Sequence, residues 1–234
     1  MRFDVWSPDR KISDIVAARI FECAPDEQRE LWLPFLSLPP AAHYHITDFL
    51  SSVLVETVRT DPPRIDKLLP TWRAMAEHLF STGRWTGRLR YKQEEVWKYI
   101  FFYGTPFESV RDKDHIPLID GLRDLFERHI RAMDTDPHDQ SSLIGFLTSD
   151  AGQQLLPEAL IWLAKSWEHA NSCFWGDAAE DGRFETFLNA LWKKYFPVIR
   201  ANAEMLKAFK VLTLNLTARQ VPVALEIQKQ IGSG

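Results

Sequence analysis

Apolar residues recur along this chain at helical spacing. Ile46, Phe49, Leu50, Val53, Leu54 and Val58 lie at offsets 0, 3, 4, 7, 8 and 12, so all six share one stripe of an α-helix. Phe184, Phe187, Leu188, Leu191, Trp192 and Phe196 repeat the same six offsets. Leu118, Leu122, Leu125, Phe126 and Ile130 form a third stripe, with Gly121 at the position where the pattern asks for an apolar side chain. No comparable stretch alternates apolar and polar residues over more than a few positions. The run Val211-Leu212-Thr213-Leu214-Asn215-Leu216 suits strand or helix. Its continuation of the spacing from Ile199 through Leu206 and Phe209 favours helix.

Helix breakers fall between these stripes. Ser7-Pro8 and Ala24-Pro25-Asp26-Glu27 read as helix starts, with proline where no amide is missed and acids in the first turn. Thr60-Asp61-Pro62-Pro63 closes one helix and opens another, and Gly83, Gly87, Gly104, Gly152, Gly176 and Gly182 separate periodic segments. The pattern predicts ten or eleven helices of about 12–20 residues joined by short connections. Residues 232–234, Gly-Ser-Gly, read as a flexible tail or linker beyond a single helical domain over 1–231.

Five prolines share one local setting, apolar residues before and an apolar stripe after: Pro34, Pro70, Pro117, Pro157 and Pro197. Their spacings are 36, 47, 40 and 40 residues, roughly the length of two helices and two turns. A two-helix unit cannot bury both of its apolar faces alone, and stacking such units makes a continuous core. On these tags the chain resembles HEAT- and armadillo-like helical repeat proteins over nearly its whole length, without their usual Asp-then-basic signature. The resemblance implies an all-α fold of about ten helices in antiparallel pairs, as a HEAT-like α-solenoid or an irregular helical bundle. The aromatic, charge-mixed stretch from Lys92 to Gly104 also resembles helical arms of large bacterial nucleotide-dependent defence and signalling ATPases. That likeness implies a part of a longer chain.

Composition narrows the functional classes. With 28 basic and 32 acidic residues the net charge is −4, which argues against a protein that coats nucleic acid through general basicity. Two cysteines, Cys23 and Cys173, make no disulfide framework and suit a reducing, cytoplasmic setting. The longest uncharged run, residues 31–47, carries three prolines and two histidines and does not read as a membrane span. Met1-Arg2-Phe3-Asp4 opens without the apolar run of a secretory leader.

Catalytic patterns are missing. Gly83-Arg84-Trp85-Thr86-Gly87-Arg88 lacks the Lys-Ser/Thr ending of a phosphate loop. His43 and His45 stand on opposite sides of a helix, and His169 with Cys173 would need two further ligands for zinc. His138-Asp139 is an isolated dipeptide. Cys173, in Asn171-Ser172-Cys173-Phe174-Trp175, reads as a packed structural thiol. No cofactor, metal or catalytic residue is assigned.

Two basic segments interrupt the acidic average. Residues 84–98 carry Arg84, Arg88, Arg90, Lys92 and Lys98 against two acids, interleaved with Trp85, Tyr91 and Trp97. Residues 193–210 carry Lys193, Lys194, Arg200, Lys207 and Lys210 against Glu204. Among nine tryptophans, Trp72, Trp162, Trp167 and Trp192 lie within apolar stripes and belong to the core. Trp85 and Trp175 sit beside glycines in predicted loops and are the candidates for exposed anchors. The expectation is a non-enzymatic helical scaffold or sensor/regulatory module that binds another protein or another domain of its own parent chain. Trp85, Trp175, Arg84, Arg88, Arg90, Lys193 and Lys194 would form the contact. The alternative is a nucleic-acid-binding scaffold using 84–98 and 193–210.

Overall fold

The computed structural model describes residues 22–24, 27, 30, 69–70, 73–74, 76–77, 80–81, 97–98, 101, 112–133, 137–150 and 152–232. Helix predominates among them and no strand occurs, so the all-α class read from the stripes is correct. The chain divides into two units, Met1–Leu125 and Phe126–Gly234. The boundary falls inside the helix α1, Asp112–Ala132.

In the first unit, the amide of Ala24 donates to the Glu27 carboxylate at 2.9 Å. This is the reach-back half of a capping box, at the helix start read from Ala24-Pro25-Asp26-Glu27. Phe80 lies 4.7 Å from Trp97, and Trp97 stacks on Phe101 at 5.5 Å and 9°. The glycine in the third stripe has a steric cause: a Cβ on Gly121 would lie 2.5 Å from Cδ2 of Leu69. Beside it, Arg73 donates to both carboxylate oxygens of Asp124, at 2.9 and 2.7 Å, and to the Gly121 carbonyl at 2.8 Å. The hydrogen bonds from Arg73 hold the Asp124 carboxyl below its ordinary range.

The second unit contains α2 (Pro137–Leu147), α3 (Glu158–Glu168), α4 (Ser172–Glu180), α5 (Gly182–Ala190), α6 (Phe196–Ala201), α7 (Ala203–Ala218) and α8 (Pro222–Gly232). A 3-10 turn, Gly152–Leu155, precedes α3, and a π-helical turn, Leu191–Tyr195, joins α5 to α6. Three starts are capped by amide or carboxylate side chains. Asn171 accepts from Phe174 N at 2.9 Å, Asp181 from Arg183 N at 2.9 Å, and Asn202 from Glu204 N and Met205 N at 3.0 and 3.1 Å. α7 ends in a Schellman arrangement: Gln220 N–H donates to Thr217 O at 2.9 Å and Val221 N–H to Leu216 O at 3.1 Å. Gln220 holds φ at 61° to make it, where glycine is usual.

Packing follows chain order only in part. α7 meets α3, α4, α6 and α8, while α5 meets α2, α4, α8 and the π turn. α3 therefore finds its main neighbour well beyond the next helix, and α4 and α8 each touch both α5 and α7. The two proline tags in this unit also play different parts: Pro157 is the N-cap of α3, whereas Pro197 lies in the first turn of α6 after the π turn.

Two aromatic clusters form the interior. Trp167, Phe174, Trp175 and Phe184 make one, with ring separations of 6.3, 5.1 and 6.0 Å along the chain of contacts. Trp192, Phe196 and Phe209 make the other, at 4.2 Å for Trp192–Phe196 and 5.5 Å for Phe196–Phe209. Polar groups inside the first cluster are paired. Trp167 Nε1–H donates to Gln140 Oε1 at 2.9 Å, and Gln140 Nε2 donates to Ser166 Oγ at 2.9 Å. The Ser141 hydroxyl donates to Asp181, which also caps α5. The stretch Val211–Leu216 lies wholly inside α7, with Leu212, Thr213 and Leu216 buried, so the ambiguous run is helix.

Candidate functional site

The expected contact residues fare unevenly. Trp85, Arg84, Arg88 and Arg90 lie outside the described residues. Trp175 is corrected: it lies in α4, not in a loop, and only 3% of it is exposed. The cap from Asn171 carries the helix through Gly176, and Phe174, Trp175 and Ala178 turn one face inward. That signal was present in the sequence as Asn171 placed three residues before Phe174. The same geometry overturns the expectation for Cys173, which is exposed. His169 caps the end of α3 and Cys173 belongs to α4, so the two do not share one helix.

Trp162 and Trp167 are buried as expected. Trp192 is only half-buried, because the stripe that starts regularly at Phe184, Phe187, Leu188 and Leu191 meets the π turn at Leu191. The wider turn shifts the side-chain register, and such turns often mark functional positions. Lys193 and Lys194 sit on this turn and both are exposed. They serve different surfaces. Lys194 donates to the Gln153 side chain, with its Nζ 5.4 Å from the Tyr195 ring centroid. Tyr195 OH also donates to the Gln153 carbonyl at 3.2 Å.

Lys193 instead lines a groove of about 300 Å³ between the α5–π-turn segment and α8. One wall is Glu185, Asn189, Trp192 and Lys193; the other is Pro222, Val223, Glu226, Ile227 and Gln230. Positions 185 and 189 stand four apart on α5 and share one side of it, and Lys193 follows on the π turn. Ile227 is buried at the base and Val223 half-buried. The side chains of Glu185, Asn189, Lys193, Glu226 and Gln230 form no hydrogen bond or ion pair with another described residue. The groove thus combines an indole and apolar side chains with five polar side chains that can meet a ligand, near the small end of ligand-site volumes.

The rest of the basic segment is partly neutralised. Lys207 pairs with Glu168 at 2.5 Å, and that hydrogen bond lowers the Glu168 carboxyl and raises the Lys207 amine. Among the described residues no cluster of three or more His, Cys, Asp or Glu side chains could hold a metal ion. No described helix is long and apolar enough to cross a membrane. No protein-family model, curated protein or solved structure matches this chain.

Proposed function

We propose that this chain is a non-enzymatic helical scaffold that binds another protein, or another domain of its own parent chain. The observation that carries this reading is the groove between α5 and α8, whose polar side chains are unpaired and which is lined by the half-buried Trp192. Aromatic anchors in a part-apolar, polar-rimmed depression are what protein partners engage. The out-of-order contacts of α3 with α7 and α5 with α2 favour the irregular bundle over the solenoid for residues 126–234. Cys23 and Cys173, neither of them in a disulfide, fit a reducing cytoplasm. The likeness to arms of nucleotide-dependent ATPases makes an adjoining nucleotide-binding domain the first partner to try.

The nucleic-acid alternative draws less support. Lys207 is committed to Glu168, and Lys193 shares its groove with Glu185 and Glu226, carboxylates that repel phosphate. The experiment is a photo-crosslinking amino acid placed at Asn189 in the full chain in its native host, with the same probe at exposed Glu180 on α4 as control. Protein adducts specific to position 189 are expected. Equal adducts at both positions, or adducts to nucleic acid alone, would remove the reading.

A further inference from the structure

We infer that the groove between α5 and α8 receives one basic side chain, an arginine or a lysine, from a protein partner. This deepens the protein-binding reading and rests on it. Glu185 enters from the α5 wall and Glu226 from the α8 wall. Two carboxylates on the two sides of one small groove offer charge-assisted acceptors of the kind that a guanidinium or ammonium group takes. Asn189 and Gln230 add amide oxygens to the same rim, and none of these four groups has a partner among the described residues.

Trp192 supplies an aromatic surface in one wall. Its ring is held by Phe196 at 4.2 Å and by near-parallel Phe209 at 6.3 Å and 15°. An indole fixed in this way offers its remaining surface to a cation without losing further freedom. Lys193 sets the limit on charge. With two acids and one base on the rim, the groove carries one net negative charge, which a single cation neutralises. A second cation would face the Lys193 ammonium, whereas an acidic side chain or carbonyl next to the partner's basic residue would meet it favourably. A phosphate group would meet both carboxylates, so the electrostatics disfavour nucleic acid as the occupant.

N-acetyl-arginine methylamide is the probe, titrated into the full chain while the indole N–H resonance of Trp192 is followed, assigned with Trp192→Phe. A saturable shift is expected, with a weaker response to N-acetyl-norleucine methylamide and none to N-acetyl-glutamate methylamide. Glu185→Gln and Glu226→Gln, both exposed positions, should each weaken arginine binding about tenfold with unchanged far-ultraviolet circular dichroism. Absence of a saturable shift, an equal response to all three probes, or unaltered affinity in both glutamine variants overturns the inference. A short oligonucleotide that shifts Trp192 in place of the arginine probe overturns it as well. A protein captured at position 189 without an arginine response removes the cation site and keeps the scaffold reading. An arginine response without any captured protein does the opposite.

Discussion

The indole of Trp167 is the point at which the interior of the second unit is most open to a quantitative test. Trp167 is 2% exposed and Gln140 is fully buried. Their hydrogen bond, 2.9 Å from Nε1 to Oε1, continues through Gln140 Nε2 to Ser166 Oγ and from Ser166 Oγ to Leu163 O at 2.8 Å. Trp167→Phe removes the N–H and leaves Gln140 Oε1 without that donor, at a cost of about 1–3 kcal/mol. The smaller ring also leaves unfilled space in a close-packed cluster, adding about 1 kcal/mol. The single variant should therefore lose about 2–4 kcal/mol, a large share of a typical domain's margin. Gln140→Leu strands the same indole from the other side. In the double variant both polar partners are gone, so its loss should fall short of the summed single losses by about 1–2 kcal/mol. Hydrogen exchange on α2 and α3 peptides reads the opening free energy where the bond lies, whether or not the two units unfold together. A coupling within ~0.3 kcal/mol of zero, or a Trp167→Phe loss below ~0.5 kcal/mol, would show that the network does not hold the helices as described.

Burial pushes the His129 imidazole down to about 3. The unfolded chain then binds a proton that the folded chain refuses, so stability present above pH 6.5 is lost as the pH falls toward 3, at up to about 1.4 kcal/mol per pH unit. Urea midpoints from pH 7 to 4 should show this slope in the wild type and lose most of it in His129→Gln. Gly152→Ala places a Cβ 2.1 Å from the Phe146 carbonyl oxygen, so the backbone must move, and a loss above about 2 kcal/mol is expected by chemical denaturation. Gly176→Ala meets nothing within 4 Å on helix α4 and should gain about 0.5–1 kcal/mol in the same assay. Gln220→Gly relieves the left-handed backbone at φ 61° and should raise stability by about 1 kcal/mol. Asn202→Ala removes the acceptor for two α7 amides and should cost about 1 kcal/mol.

The chain's pattern of apolar residues was sufficient for the class of fold and for much of the interior, because burial of a helical stripe depends on spacing within one element. Phe184, Phe187, Leu188 and Leu191 are all fully buried, as their offsets require. The ambiguous run at Val211 joined α7 for the same reason. Even the break at Gly121 was visible, although its cause, the Leu69 side chain, lies about fifty positions away. Trp175 was misplaced by giving Gly176 more weight than the Asn171 cap, since a capped helix tolerates one glycine.

Tertiary structure alone decided which helices meet. The proline spacing suggested neighbours in chain order, yet α3 settles on α7 and α5 on α2 and α8. Amphipathic stripes specify that a face must be covered and leave open which face covers it. The groove exists only because α8 returns to α5, bringing Glu226 and Gln230 opposite Glu185 and Asn189. Along the sequence these are ordinary solvated polar residues, and nothing in their local spacing distinguishes them from their neighbours.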